Sequence, residues 1–248
     1  MILGKERHIH AACFEEIDAA VALERGTAPL VYFNAHTFPA LLPPEGVVYN
    51  LENVGLQVPT TLWPEHEIWD FSERNMEAWK KAGRNVTYVP IGYHHSMERF
   101  QPRTWKDRDI DVVFSGAMNP RRFQVLEEMK YRGLNVVHVP GHLYGQERDL
   151  LLARAKLGLN MLFYEGGTFP ALRVAHLVAN YIPVISENCS ESWSFIEEQT
   201  SVGSLARDAE ALIRNESYNL EKIAMRNLQS FRRMPLVLPH ADKSEPDK

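Results

Sequence analysis

Short apolar runs alternate with longer amphipathic ones along this chain, and the rhythm stops once, between residues 88 and 109, before it starts again. A short apolar run suits a strand buried on both faces. The longer run between two of them leaves room for a crossover helix, so the pattern predicts parallel sheets covered by helices. In the first half, Arg7–Ala11, Leu30–Asn34, Val47–Leu51 and Val86–Val89 read as strands, with helices over Phe14–Arg25 and Glu67–Ala82. Gly26 and Gly83 stop those helices, and Lys80 and Lys81 lie in a last turn, where cations complement the helix dipole. The stretch from Tyr88 to Asp109 carries two prolines, a glycine and mixed charges without a period, and reads as a linker. Beyond it, Asp111–Ser115, Leu134–Val139, Leu157–Phe163 and Ile182–Ser186 read as strands. Pro120–Arg132, Gln146–Lys156, Phe169–Asn180, Ser192–Glu198, Arg207–Arg214 and Leu220–Arg232 read as helices. The expectation is an α/β protein of two Rossmann-like, doubly wound domains, 1–95 and 96–235, facing a cleft. A polar, disordered tail follows over 236–248.

Composition narrows the class. The 248 residues allow one large or two small domains. With 45% hydrophobic and 24% charged residues, disordered, collagen-like and coiled-coil chains are excluded. A net charge of −5 gives no overall positive field to draw the chain to nucleic acid. Cys13 and Cys189 are far apart, which argues against a disulfide framework or structural zinc and suits a reducing compartment. No apolar run approaches about 18 residues, the length a membrane-spanning helix needs. The first residues become charged too soon for a signal peptide, so a cytoplasmic location is expected.

Ligands of such sheets bind beyond the carboxyl ends of the strands, in the cleft between units. The richest stretch there is Phe163–Arg173. Gly166 and Gly167 allow close backbone approach, and a helix starting by Thr168 offers free amides to an anion such as a diphosphate. Glu165 precedes them and is placed to meet a sugar hydroxyl or a developing positive charge. The second stretch, Phe114–Arg122, has Gly116 for room and Arg121 and Arg122 as phosphate donors at a helix start, where positive charge opposes the dipole. Asn119 and Tyr144, at neighbouring strand-to-helix turns, complete the donor-side candidates. In the first half, Asn34, His36, Glu52 and Asn53 follow strands and can reach an acceptor, as can His94 in the linker. His36 suits a general base near neutral pH, and with Glu165 it makes up the catalytic candidates. Each of these residues also has an ordinary reading as turn or surface chemistry. Asp107-Arg-Asp109 has the spacing of a metal-binding DxD, but it precedes a strand and reads as linker. His8/His10 and His94/His95 lack a third ligand, so no metal site is expected.

Three stretches together resemble the GT-B glycosyltransferases, specifically the glycosyltransferase family 4-like group (group 1). Val89-Pro-Ile-Gly92 through Arg99-Phe-Gln-Pro102 resembles that family's interdomain crossover. Val113-Phe-Ser-Gly116 through Arg122 resembles its donor-phosphate loop. Glu165–Arg173, continuing to Asn180-Tyr-Ile-Pro-Val184, resembles its motif with two spaced glutamates. Order and spacing agree between residues 88 and 187. The chain is also similar to small bacterial and phage glycosyltransferases, some of them spore-maturation-like. The resemblance implies a GT-B-like fold with an N-terminal acceptor domain and a C-terminal donor domain. It implies metal-independent transfer of a sugar from a nucleotide-diphosphate sugar, a UDP-sugar foremost, to an acceptor hydroxyl with retention of configuration. No cofactor beyond this co-substrate is implied. The acceptor would be a saccharide, a small molecule or a modified phage DNA base. Glu165 matches the first glutamate of the motif, while Arg173 stands where the second contacts ribose. Arg173 cannot accept hydrogen bonds but can bind phosphate. A catalytically inactive nucleotide-sugar-binding module, and an epimerase or phosphorylase on the same fold, remain alternatives.

Overall fold

Val47-Val-Tyr-Asn50 is buried at every position, as a strand must be when both faces of its sheet are covered. In the computed structural model it is the second strand of a four-stranded parallel sheet ordered β1-β2-β3-β4. The structure describes residues 31–239 apart from 34, 38, 43–45, 142, 192 and 216. The strands are β1 (Val31–Phe33), β2 (Val47–Asn50), β3 (Glu67–Asp70) and β4 (Thr87–Tyr88). The elements read at Arg7–Ala11 and Phe14–Arg25, the pair His8/His10, Cys13, Asn34 and residues 240–248 of the tail lie outside the described residues.

One expectation for this half is corrected. Glu67–Asp70 is a strand, and the helix α1 begins only at Glu73–Lys81. Ile68 and Trp69 are both 1% exposed, which suits a central strand better than one face of a helix. Ser72 then caps α1, its hydroxyl accepting the Asn75 N–H at 3.1 Å.

The second sheet is also parallel, ordered β6-β5-β7-β8-β9. Its strands are β5 (Ile110–Gly116), β6 (Val136–Pro140), β7 (Ala155–Asn160), β8 (Val184–Glu187) and β9 (Gln199–Thr200). Its helices are α2 (Pro120–Tyr131), α3 (Gly145–Leu152), α4 (Ala171–Ala179), α5 (Leu205–Arg214) and α6 (Leu220–Arg232). Pro120 opens α2 with φ preset for a helix. The helix expected to reach Lys156 stops at Leu152, because Ala155 is fully buried in β7 and Lys156 pairs with Asp111 at 2.7 Å. In place of the helix expected over Ser192–Glu198, the described residues 193–198 form an irregular turn. There Trp193 stacks on Phe169 and Phe195 packs on Phe231, with ring centroids 5.3 and 4.7 Å apart.

The topology places the crevice. The chain goes from β5 to β6 on one side, then crosses to β7 on the other, so the loops leaving β5 and β7 diverge at the carboxyl edge of the sheet. One apolar cluster joins the two sheets through the linker, running from Val47, Tyr49 and Trp69 through Val89, Ile91 and Met97 to Val113, Val174 and Phe231. Asn180 clasps the linker, accepting N–H bonds from Arg99 (2.7 Å) and Phe100 (3.0 Å) and donating to the Met97 carbonyl at 2.9 Å. In the Asp107-Arg-Asp109 stretch, Asp109 is paired with Arg103 and Arg154 at the amino end of β5, away from the crevice.

Helix α6 lies on α4, and the chain beyond it closes on the linker. Tyr93 N–H donates to the Met234 carbonyl at 2.6 Å, and Leu236 N–H donates to the Tyr93 carbonyl at 2.9 Å. Gly92 permits this approach, since a Cβ there would lie 2.4 Å from the Leu236 nitrogen. Gly92→Ala is therefore expected to cost about 1–3 kcal/mol, the usual range for forced overpacking. Urea unfolding measures it, and an unchanged midpoint would show that the C-terminal segment does not lock the linker.

Candidate functional site: an arginine-lined cavity between the sheets

The loops that leave β5 and β7 are knitted together by arginines. Arg122, in the first turn of α2, is 1% exposed. It donates to the carbonyls of Ala117 (2.6 Å), Met161 (2.5 Å) and Leu162 (3.3 Å). Asn119 caps the same helix, accepting the Arg122 N–H at 2.9 Å and donating to the Phe163 carbonyl at 2.8 Å. Arg121 donates to the Leu162 carbonyl at 3.1 Å and is ion-paired with Glu187, whose other oxygen accepts the Leu162 N–H at 2.9 Å. Arg173, from the first turn of α4, reaches Asn160 Oδ1 at 3.1 Å and the Met161 carbonyl at 3.2 Å. Gly116, at φ +147°, leaves it space, since a Cβ there would lie 2.9 Å from the Arg173 guanidinium.

Of these groups Arg122 and Arg173, with Ala117 and Phe163, form one wall of a cavity of about 400 Å³, whereas Gly116, Asn119 and Arg121 are not on its lining. The facing wall comes from the first sheet, as Leu51, Glu52, Asn53 and Gln57 in the loop after β2. That loop hangs on a buried polar network. Asp70, wholly inaccessible at the end of β3, accepts from Asn50 (2.7 Å), Trp79 (2.8 Å), Asn75 (3.0 Å) and the Ser72 N–H (3.0 Å). Asn50 and Asn75 in turn both donate to the Glu52 carbonyl, at 2.9 and 2.8 Å. The position of Glu52 is thus set by strand ends rather than by a free loop.

The electrostatics are unbalanced. Arg122 and Arg173 are the cations on the cavity lining, and Glu52 is the carboxylate among the described lining residues. Burial, with the repulsion of Arg173 and Arg121, pulls Arg122 down to about 9. Burial likewise pulls Arg173 down to about 10, against the attraction of Glu52. Burial pushes the Glu52 carboxyl up to about 7, so it is only part-ionised at neutral pH. Both guanidiniums stay charged there, and the wall carries more positive charge than the protein neutralises. Such a wall favours an anion with two or more acceptor oxygens.

The other expected positions fall elsewhere. The helix start expected at Gly166–Thr168 comes later, since α4 begins at Ala171. The intervening amides are already used: Gly167 N–H donates to the Tyr164 carbonyl (3.0 Å), Thr168 N–H to Asn53 Oδ1 (2.6 Å), and Phe169 N–H to Glu191 (2.7 Å). Two of the three amides at 166–168 are thus engaged within the protein, although Gly167 and Thr168 still line the cavity. Glu165 is exposed and lines a neighbouring depression of about 340 Å³ with Arg74, Cys189 and Ser190. Tyr144, at the start of α3, and His36, in a turn after β1, are not on the cavity lining. His94 caps a turn of the linker, with Nδ1 3.2 Å from the Ser96 nitrogen. No group of three or more His, Cys, Asp or Glu able to hold a metal occurs among the described residues. No helix among them is long and apolar enough to cross a membrane.

Two groups escaped the sequence reading. Asp70 and Asn75 lay inside a segment read as one continuous helix, where nothing marks them as buried. Glu191 lies between the strand read to Ser186 and the helix read from Ser192. Its carboxylate bridges the units, accepting from Ser72 Oγ (2.5 Å), the Arg74 N–H (3.3 Å) and the Phe169 N–H.

No family model matches the chain. Its sequence is similar to uncharacterised proteins of Acanthamoeba polyphaga mimivirus: L140 at 26% identity over 106 residues and L138 at 27% over 113. These stretches are 42% and 44% of this chain but only 35% and 13% of those proteins, so the chain spans about a third or less of their length. Among solved structures, TarM superposes with a TM-score of 0.50 at 9% identity, over 75% of this chain and 51% of that one. The α,α-trehalose 6-phosphate synthase of Burkholderia multivorans gives 0.48 at 12% identity, over 94% and 74%. The chain has a GT-B-like fold. Its two Rossmann-type parallel sheets are those the crossover and strand-end motifs imply.

Raised carboxyl pKa values have a cost in stability. Burial also lifts Asp70, to about 6. A carboxyl whose pKa is higher folded than unfolded contributes stability below its unfolded value, lost as pH rises through its folded value. For Glu52 that window runs from 4.5 to about 7. Glu52→Gln is therefore expected to raise stability at about pH 8 by roughly 1–2 kcal/mol, and to change it little near pH 4. Thermal melts of both proteins across this range measure it, and a difference independent of pH would contradict the buried-carboxyl account.

Proposed function

We propose that the protein is a glycosyltransferase that moves a sugar from a nucleotide-diphosphate sugar to an acceptor hydroxyl. The observation that carries the reading is the pair Arg122 and Arg173, incompletely neutralised on the wall of a cavity between two Rossmann-type sheets. Chemistry at a sugar diphosphate needs positive charge where the leaving diphosphate gathers its electrons. Two fixed guanidiniums supply that without reorganising, the role a metal ion plays in other designs. The pair sits at the topological switch point, where open α/β sheets bind nucleotides.

A UDP-sugar is the donor that the family resemblance implies. Arg173 occupies the place where the family's glutamate meets ribose, so here that contact is reassigned to phosphate. Phe163 and Tyr164, packed edge to face at the rim of the cavity with centroids 4.9 Å apart, offer an apolar face to a sugar ring or base. The first unit supplies the acceptor side, and saccharides, small molecules and modified phage DNA bases are the classes to test.

The test is donor affinity in a charge-removing variant. Arg173→Met keeps the length of the side chain and removes the charge. Loss of charge-assisted hydrogen bonds worth about 1.5–3 kcal/mol weakens UDP binding roughly 10- to 150-fold. Isothermal calorimetry with UDP measures it, and equal affinity in the two proteins would refute the phosphate role. Turnover of a UDP-sugar by wild type separates the enzyme from a module that only binds.

A further inference from the structure

A diphosphate carries oxygens on all sides, and the two arginines meet it from one wall. Across the cavity the loop after β2 presents Glu52, Asn53 and Gln57. Asn53 is already committed: its Nδ2 donates to Gln57 Oε1 at 2.9 Å, and its Oδ1 accepts from the Thr168 amide and hydroxyl at 2.6 and 2.8 Å. Glu52 is anchored through its backbone carbonyl by Asn50 and Asn75, which hang on Asp70, while its side chain lines the cavity. The first unit thus holds a carboxyl in place where the second unit draws an anion. As a carboxylate it would repel that anion, and as a neutral acid it would be a donor on the far wall.

We propose that Glu52 binds the diphosphate as a neutral acid, keeping its proton and donating it as a hydrogen bond to a phosphate oxygen turned away from Arg122 and Arg173. The role rests on the diphosphate reading of the site. The proton stays on Glu52 throughout, so the role leaves the stereochemical course of transfer untouched. The titratable or charged groups facing Glu52 are Arg122 on α2, Arg173 on α4 and Tyr164 in the loop after β7, with Asp70 behind its own loop and Arg74 of α1 in the neighbouring depression. Without ligand, burial brings the carboxyl up to about 7, against Gln57 and Arg173, which favour the ionised form. A bound diphosphate offsets the charge of Arg173 and adds its own repulsion. Both changes favour the neutral form further, so binding takes up a proton. A ligand that binds with a proton binds more tightly at low pH, and affinity falls as pH rises through about 7. The second unit therefore attracts the anion with fixed charge, and the first closes on it with a charge-free donor.

Inorganic pyrophosphate is the probe, titrated calorimetrically into wild type, Glu52→Gln and Glu52→Ala. The ligand's own protons are common to the three proteins and cancel in the comparison. At pH 7, in buffers of different ionisation enthalpy, wild type is expected to take up about half a proton more per pyrophosphate than Glu52→Gln, because a group with its pKa of about 7 starts half ionised. Near pH 8 wild type should bind up to roughly tenfold more weakly than Glu52→Gln, whose amide is a donor at every pH. Near pH 5.5 those two should bind alike, and Glu52→Ala, which lacks the donor, roughly 3- to 10-fold more weakly. Equal proton uptake in wild type and Glu52→Gln overturns the neutral-acid role and leaves the diphosphate site standing. Affinity in Glu52→Ala equal to wild type near pH 5.5 shows that the carboxyl donates nothing and overturns it too. Failure of wild type to bind pyrophosphate at any of these pH values overturns the diphosphate site itself.

Discussion

The buried guanidinium of Arg122 is the point on which the site turns. It satisfies carbonyls of two loops that topology drives apart, those after β5 and β7, and so closes the edge of the second sheet. Taking a cation out of water is costly, and carbonyl oxygens only partly compensate. The nearby carboxylate Glu187 is already paired with Arg121. Arg173 adds a second cation at the same edge, with Asn160 and the Met161 carbonyl as its partners. The fold therefore holds positive charge it does not itself neutralise, and an anion drawn into the cavity would relieve that imbalance.

The opposite wall is built on the reverse principle. Asp70 is a buried carboxylate surrounded by donors, and its four hydrogen bonds are spent on shaping the turn that carries Glu52 and Asn53. Glu52 and Asp70 are both pushed toward their neutral forms, so both weaken the folded state at neutral pH. Groups kept at a cost to stability concentrate where function needs them. Asn53 and Glu191 join the walls, one accepting from Thr168 and the other from Ser72 and Phe169. The closed arrangement of the two units is thus held by polar contacts as well as by the shared apolar core.

Much of the fold was legible because parallel strands buried on both faces leave uninterrupted apolar runs. Val47–Asn50 and Ile110–Gly116 are clear cases, and Pro120 marks the start of α2. Glu67–Asp70 was not legible, because its residues continue the helical period of the segment that follows and only pairing with β2 makes them a strand. Gly116 and Arg173 do lie together, the glycine making room for the Arg173 guanidinium rather than for a ligand directly. In the Gly166–Thr168 turn the Gly167 amide is bound locally by the Tyr164 carbonyl, but the acceptor of the Thr168 amide, Asn53, lies 115 residues away. Local sequence signals a turn's shape, whereas occupancy of its donors is a tertiary fact.

The central claim is that diphosphate binds on the Arg122 and Arg173 wall. A crystal structure with UDP tests it most directly. The account predicts phosphate oxygens within hydrogen-bond reach of the Arg173 guanidinium, in the cavity shared with Glu52. Phosphates seated instead beside Arg74 and Glu165 in the neighbouring depression would contradict it.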